Sequence, residues 1–107
     1  MSTQETMVQD ALPEDGPAEW VVTERERLRL AAADAGEQLA RAEAVAGNIS
    51  TAVEHARRAL SFDTYRDSTW RLLIQLHERA GDPSAAHAVR RQYGKMLAEL
   101  GALSGGR

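Results

Sequence analysis

The histidines are the side chains of this sequence best suited to hold a metal ion or to transfer protons. They are His55, His77 and His87. Each falls on a different predicted helix, and no two have the i, i+4 spacing or the adjacent ligands of a zinc site. The sequence contains no cysteine, which excludes thiolate ligands and disulfides. We therefore expect no metal site, and helix packing explains these histidines better, above all His77.

Catalysis by a nucleophile or through a bound phosphate has equally little support. Ser61, His55 and Asp63 could be combined on paper, but no strained nucleophile turn and no oxyanion loop accompany them. The Gly105-Gly106 pair follows no predicted strand, so it does not have the pattern of a phosphate-binding loop. We expect neither enzymatic activity nor a cofactor.

Arginine side chains are better candidates, because arginine and aromatic residues dominate protein interfaces. The run Glu24-Arg25-Glu26-Arg27 with Arg29 is explained most simply as solvated helix surface, with ion pairs three or four residues apart. The alternative is an arginine-presenting edge, since Arg25 and Arg29 are one turn apart. Arg57-Arg58 and Arg90-Arg91 could form a mild basic stripe, or they reflect the ancestry of a repeat.

Two tryptophans are the strongest aromatic candidates. We expect Trp70 to pack in the core between helices, and Trp20 to precede the first helix, where it could dock as a hydrophobic staple. Either one, if exposed, becomes the leading anchor for a partner. The predicted partner-binding set consists of aromatic and arginine residues: Trp20, Arg25, Arg29, Arg58, Tyr65, Arg66 and Trp70.

Four helices must position these side chains, over about 19–46, 49–61, 64–80 and 83–100. The first is long and free of proline, and Gly36 is its weak point, where it could bend. Its apolar residues recur at helical intervals and form one face: Trp20, Leu28, Ala31, Ala32, Ala35, Leu39, Ala42 and Ala46. The second buries a face that includes Ala52 and Ala56, the third Leu73 and Leu76, and the fourth Ala86 and Val89.

Glycine, proline and capping residues mark the boundaries of these helices. Gly47 and Gly81 are expected to end the first and third helices in the left-handed conformation. Asn48 is a predicted N-cap, and Asp82 followed by Pro83 is the strongest helix start in the sequence. Thr64 followed by Asp67 has the spacing of a capping box and predicts the start of the third helix.

The middle of the chain repeats itself at a spacing of 34 residues, which is the tetratricopeptide period. The shift places Leu39 on Leu73, Gly47 on Gly81, Ala52 on Ala86 and Arg57 on Arg91. We therefore predict an all-α fold, a tetratricopeptide-like antiparallel stack of two helix-turn-helix repeats with a long first helix. Such repeats bind other macromolecules through a surface and seldom catalyse reactions.

Composition limits the remaining classes. The net charge is −3, and residues 1–19 carry five acidic residues and no basic one, so the rest of the chain is nearly neutral. We expect residues 1–18 to be a disordered acidic arm, 19–101 the helical domain and 102–107 a flexible tail. The arm could also cover the basic stripe. Direct nucleic-acid binding is not favoured, no apolar run is long enough to span a membrane, and a cytoplasmic protein is expected.

Three stretches of the sequence share their order and spacing with a known family. They are Trp20 with Glu24-Arg25-Glu26-Arg27-Leu28-Arg29; Gly47-Asn48 leading into Ala56-Arg57-Arg58-Ala59-Leu60 with Asp63, Arg66 and Asp67; and Arg71-Leu72-Leu73-Ile74, Gly81-Asp82, Tyr93 and Leu97-Ala98-Glu99-Leu100-Gly101. Together they resemble the bacterial transcriptional activator domain, the tetratricopeptide-like domain of regulators of the antibiotic regulatory protein (SARP) family.

The resemblance implies a part in transcription activation, through contacts to RNA polymerase or within a regulator that also carries a winged-helix DNA-binding domain. That domain is not expected upstream of Trp20, Thr64 stands where the family commonly has proline, and Trp70 where histidine is common. A free-standing copy, a truncated gene and a fragment remain open. We expect a non-enzymatic protein-interaction module whose partner is RNA polymerase, a winged-helix regulator or a second copy. The alternative is a self-associating or chaperone-like scaffold unrelated to promoters.

Overall fold

Residues 17–105, which the computed structural model describes, form four α-helices and no β-strand. They are α1 (Pro17–Val45), α2 (Ile49–Phe62), α3 (Asp67–Arg79) and α4 (Pro83–Gly105). Each helix packs mainly on the next in the chain. The predicted all-α stack of four helices is confirmed.

The 34-residue sequence repeat reappears as a repeated turn. Gly47 and Gly81 have φ values of 87° and 75°, and they are the two described residues in the left-handed region. After α1, the Gly47 N–H donates to Ala44 at 3.1 Å and the Asn48 N–H to Glu43 at 2.8 Å. The turn after α3 repeats both hydrogen bonds at positions 81 and 82. Both turns are therefore Schellman motifs, as glycine at this position favours.

The starts of α3 and α4 follow different rules. Asp82 caps α4 as predicted, because its Oδ1 accepts a hydrogen bond from the Ala85 N–H at 3.1 Å. The predicted start at Thr64 is wrong, since α3 begins at Asp67. Asp63 instead accepts a hydrogen bond from the Tyr65 N–H at 3.1 Å, which closes an Asx-turn and delays the helix.

The outer limits of the described helices lie beyond the predicted ones. Helix α1 begins at Pro17, because proline lacks an N–H that the first turn would leave unpaired. Helix α4 continues past Leu100 to Gly105, through residues that were expected to be tail. Most of the predicted acidic arm, residues 1–16, and the end of the tail, residues 106–107, lie outside the described residues.

A stripe of small side chains joins α1 to α2. Ala33, Ala40 and Ala44 are buried on α1, and Ala52, Ala56 and Ala59 on α2. At Gly36 the two backbones approach so closely that a Cβ atom would lie 3.0 Å from the Cβ of Ala59. Helix α1 therefore does not break at Gly36; the glycine permits the close crossing.

The larger core side chains belong to α3 and α4. Leu73, Leu76 and Val89 are almost completely buried, and Met96 extends the core along α4. His77 is also buried, in agreement with the packing role expected for it. The outer helices α1 and α4 are longer than α2 and α3, so each outer helix extends past its shorter neighbour.

Candidate partner-binding surface

Helix α1 carries a second apolar face, on the side opposite the stripe that packs on α2. It consists of the predicted apolar residues other than Ala32, together with Val21: Trp20, Val21, Leu28, Ala31, Ala35, Leu39, Ala42 and Ala46. We call it the outer face of α1. Trp20 is 46% exposed, Leu28 54% and Leu39 51%, and no residue among 17–103 covers these side chains fully. An exposed apolar face of this length is typical of a binding surface.

The sequence repeat explains why this face is apolar. A shift of 34 residues maps Thr69, Leu72, Leu73 and Leu76 of α3 onto Ala35, Gln38, Leu39 and Ala42 of α1. The four α3 residues are buried in the core, whereas their α1 counterparts are exposed. Helix α3 lies between α2 and α4, while α1 has α2 on one side only among the described helices. The outer face is therefore a core face without its covering element.

The N-terminal part of α1 projects beyond the rest of the stack. The Arg29 guanidinium donates a hydrogen bond to the carbonyl of Phe62, the last residue of α2. Residues 17–28 therefore extend past the end of α2, by about 18 Å at a rise of ~1.5 Å per residue. The exposed rings of Phe62 and Tyr65 lie at the same end of the stack. We call this region, residues 17–29 with Phe62 and Tyr65, the open end.

Arg66 does not lie free at the open end but ties α3 to α1. Its Nε donates to Glu37 Oε1 at 2.8 Å, and its Nη2 to Asp34 Oδ1 at 2.6 Å. The same Glu37 oxygen accepts hydrogen bonds from Thr69 at 2.6 Å and from Ser68 at 2.8 Å. Glu37 thereby fixes the start of α3 against the middle of α1.

Electrostatics makes the Glu37 cluster a strong structural tie. Burial raises the pKa of Glu37, but the hydrogen bonds from Thr69, Arg66, Ser68 and Arg41 together lower its pKa to about 2. The Arg41 guanidinium completes the set, with its Nη2 2.8 Å from Glu37 Oε2. The carboxylate is buried and fully ionised at neutral pH, so it is a poor proton donor or acceptor for catalysis.

Trp70 lies in the core rather than on the surface. Its side chain is 8% exposed, and its Nε1–H donates to the Thr64 carbonyl at 2.8 Å. The ring stacks on Tyr93 of α4, with centroids 6.1 Å apart. Trp70 therefore supports the loop that carries Tyr65, and a partner could reach it only through that loop.

The other predicted arginines divide into paired and available ones. Arg25 and Arg58 are exposed, and neither has an ion pair to another residue in the described part of the chain. Within the basic stripe, Arg57 donates toward His77 Nε2 at 3.4 Å, and Arg90 pairs with Glu78. Two of its four arginines are therefore engaged in contacts within the stack.

No metal or membrane feature competes with the surface reading. Within the described ranges, no three histidine or acidic side chains are grouped as a metal site requires. None of the helices between residues 17 and 105 combines the length and apolar character needed to cross a bilayer. Ser61 donates its hydroxyl hydrogen bond to the Arg58 carbonyl at 2.5 Å, which is ordinary helix geometry. A shallow depression on α4, lined by residues including Arg91 and Lys95, is formed by a single helix.

Sequence reasoning missed Glu37 and Leu39 as functional candidates. Glu37 lies four residues after Ala33 and three before Ala40, so a charged residue interrupts a small-residue stripe. That position was the available signal, because a buried carboxylate in such a stripe requires donors from a neighbouring element. Leu39 was recognised as apolar, but its exposure depends on which side of α1 packs on α2.

Comparison with known proteins identifies the family. The model of the bacterial transcriptional activator domain matches residues 7–105, nearly the whole chain. No curated protein matches the chain, and no solved structure does. The match includes the outer face, the Glu37 cluster and all four described helices. This protein belongs to the bacterial transcriptional activator domain family.

Proposed function

We propose that this chain is a non-enzymatic, cytoplasmic protein-interaction module in bacterial transcription regulation. It binds RNA polymerase or a winged-helix regulator through the outer face of α1 and the adjoining open end. The family membership supports the transcriptional setting, since the family is one of transcription-activator domains. The rigid tie between Glu37 and Arg66 supports a surface that is already formed before the partner binds.

The observation that carries the proposal is the exposure of the outer face. Trp20, Leu28 and Leu39 present aromatic and branched apolar side chains along one side of a single helix. Apolar anchors of this kind supply most of the binding energy of protein interfaces, and a nearby arginine adds specificity. Arg25 is exposed next to this face and is available for an acidic group of the partner.

The predicted binding set divides by role under this proposal. Trp20, Arg25, Arg58 and Tyr65 are exposed and would contact the partner directly. Arg29, Arg66 and Trp70 would act as positioning residues, because they hold Phe62, Glu37 and the loop before α3. Leu28 and Leu39 join the contact set.

A pull-down from the native bacterial lysate tests the proposal. The full chain, the double variant Trp20→Ala/Leu28→Ser and the control Leu103→Ser would each be tagged and the bound proteins identified by mass spectrometry. Leu103 is an exposed leucine on α4, far along the chain from the outer face, so the control removes a comparable apolar group. We expect RNA polymerase subunits or a winged-helix protein with the native chain and the control, and loss with the double variant.

Recovery of neither protein by the folded native chain would contradict the proposal. The second candidate is a self-associating scaffold, which the same exposed face favours because two copies could cover each other. Sedimentation at increasing concentration separates the two functions. A dimer that the double variant abolishes, without capture of transcription proteins, would establish the scaffold.

A further inference from the structure

We propose that residues 7–12 of this chain form a short helix that docks antiparallel on the N-terminal half of the outer face, over Trp20, Val21 and Leu28. The docking site is an intramolecular one, and it does not depend on the identity of any external partner. The exposed face of α1, the sequence of the segment, its tether to α1 and the extent of the family match all support it.

The segment has the pattern that the outer face requires. Met7, Val8, Ala11 and Leu12 are spaced as i, i+1, i+4 and i+5, which places all four on one side of a helix. They are also the apolar residues nearest to α1 in the sequence before Pro13. A helix with this stripe can bury it against a second apolar helix face, and the outer face of α1 is exposed and has the same character.

The connection between the segment and α1 enforces proximity. Residues 13–16 separate Leu12 from Pro17, the first residue of α1, and they contain Pro13 and Gly16. Helix hairpins use connections of about 2–5 residues. A hairpin of this length places Leu12 near Trp20 and Met7 near Leu28. The short tether gives an effective local concentration in the millimolar range, so even a small apolar contact is populated.

The family match supplies an independent argument for the same segment. It begins at residue 7, ahead of α1, which begins at Pro17. Residues 7–16 are therefore part of the conserved domain pattern described by the family model. A segment that belongs to the domain requires a place on it, and the N-terminal half of the outer face is the apolar surface within its reach.

Charge at the edges of the contact is complementary. The residues flanking the apolar stripe include Glu5 and Asp10, and residues 1–16 carry no basic side chain. Residues 25–29 of α1 contain three arginines and one glutamate. Arg25 is exposed and has no ion pair among the described residues, so it can receive a carboxylate from the segment. Such pairs add little energy but favour one orientation.

Docking of residues 7–12 would cover the aromatic anchor of the proposed partner surface. An external partner that uses Trp20 then competes with the segment, whereas Leu39 and Ala42 lie beyond its reach. The segment would therefore act as a built-in competitor that lowers partner affinity until it is displaced. This consequence rests on the proposed function, but the docking itself does not.

Fluorescence quenching of Trp20 tests the docking. In the full chain carrying Trp70→Phe, Trp20 is the one remaining tryptophan, and acrylamide quenching reports its accessibility. Docking that covers about half of the exposed indole surface lowers the quenching constant roughly twofold. We expect Leu12→Asp to restore strong quenching. The control Thr6→Asp adds the same charge on the opposite side of the segment and should leave the protection intact.

A second measurement avoids any change at Trp70. The native chain has no cysteine, so Gln9→Cys carries a single spin label at the edge of the segment. Docking predicts strong relaxation broadening of amides in residues 20–28 and none in residues 86–96 of α4. A mixture of labelled and isotopically enriched chains distinguishes contacts within one molecule from contacts between two.

Three results would overturn the inference. Equal quenching of Trp20 in the Trp70→Phe chain with and without Leu12→Asp means that the segment does not cover it. Absence of broadening on α1 has the same meaning. Broadening that appears only between different molecules assigns the outer face to a second copy instead.

Discussion

Replacing Glu37 by glutamine should destabilise the fold strongly at neutral pH and progressively less in acid. Glutamine keeps the shape of the side chain and one oxygen acceptor, so Thr69 and Ser68 can still donate to it. The charge-assisted hydrogen bonds from Arg66 and Arg41 are weakened, and Arg66 loses its buried counter-charge. The perturbation therefore isolates the ionic part of the tie between α1 and α3.

The size of the effect follows from the pKa of Glu37. The folded protein lowers this pKa from the ordinary value of 4.5 to about 2. At 1.36 kcal/mol per unit, a shift of that size corresponds to roughly 3 kcal/mol of folding free energy. Because the folded pKa is the lower one, this stability is fully present above about pH 4.5 and is lost as the pH falls toward 2. In a domain of this size the loss lowers Tm by roughly 10–20 °C.

Urea denaturation at pH values from 7 to 3 measures the free energy of unfolding for each variant. Glu54→Gln is the matched control, because Glu54 is an exposed glutamate on the neighbouring helix α2. We expect a large deficit for Glu37→Gln at pH 7 that shrinks steadily below pH 4.5, and almost no deficit for Glu54→Gln. A deficit equal to that of the control, or one that stays constant from pH 7 to 3, would refute the role assigned to Glu37.

Three further substitutions test the helix contacts and the outer face. Gly36→Ala should lower stability by about 1–2 kcal/mol, since its Cβ would lie 3.0 Å from that of Ala59, whereas Gly94→Ala should raise stability by up to about 1 kcal/mol because nothing lies within 4 Å; thermal denaturation measures both. Gly81→Ala should cost about 1 kcal/mol in urea denaturation, because its φ of 75° disfavours a side chain; an unchanged midpoint would contradict the Schellman assignment. Trp20→Ala should change stability by less than about 0.5 kcal/mol, as for an exposed site, yet reduce binding of RNA polymerase or the regulator several-fold.

Local rules predicted the parts of the fold in which one residue type has one physical role. Gly47 and Gly81 end their helices because only glycine adopts a positive φ without strain, and Asp82-Pro83 starts α4 for an equally local reason. The buried faces of α2 and α3 were predictable because their apolar residues form a single stripe on each helix. The tetratricopeptide assignment itself remains a prediction from the spacing.

Helix α1 marks the limit of such reasoning. It carries two stripes, a small-residue stripe through Ala33 and Ala40 and a larger apolar one through Leu28 and Leu39. Hydrophobicity favours the second stripe for the core, but α2 packs on the first because small residues permit the close approach at Gly36. The hydrogen bonds of Glu37 join residues about 30 positions apart, so no local pattern could predict its partners.

The central claim is that the outer face of α1 recruits the transcription machinery, and a tethered-activation assay tests it most directly. The full chain would be fused to a sequence-specific DNA-binding domain in a bacterial host, with transcription measured from a promoter bearing that domain's site. The account predicts activation above the DNA-binding domain alone, lost with Trp20→Ala/Leu28→Ser and kept with Leu103→Ser. Equal transcription from all of these fusions, each shown to be folded and expressed, would contradict it.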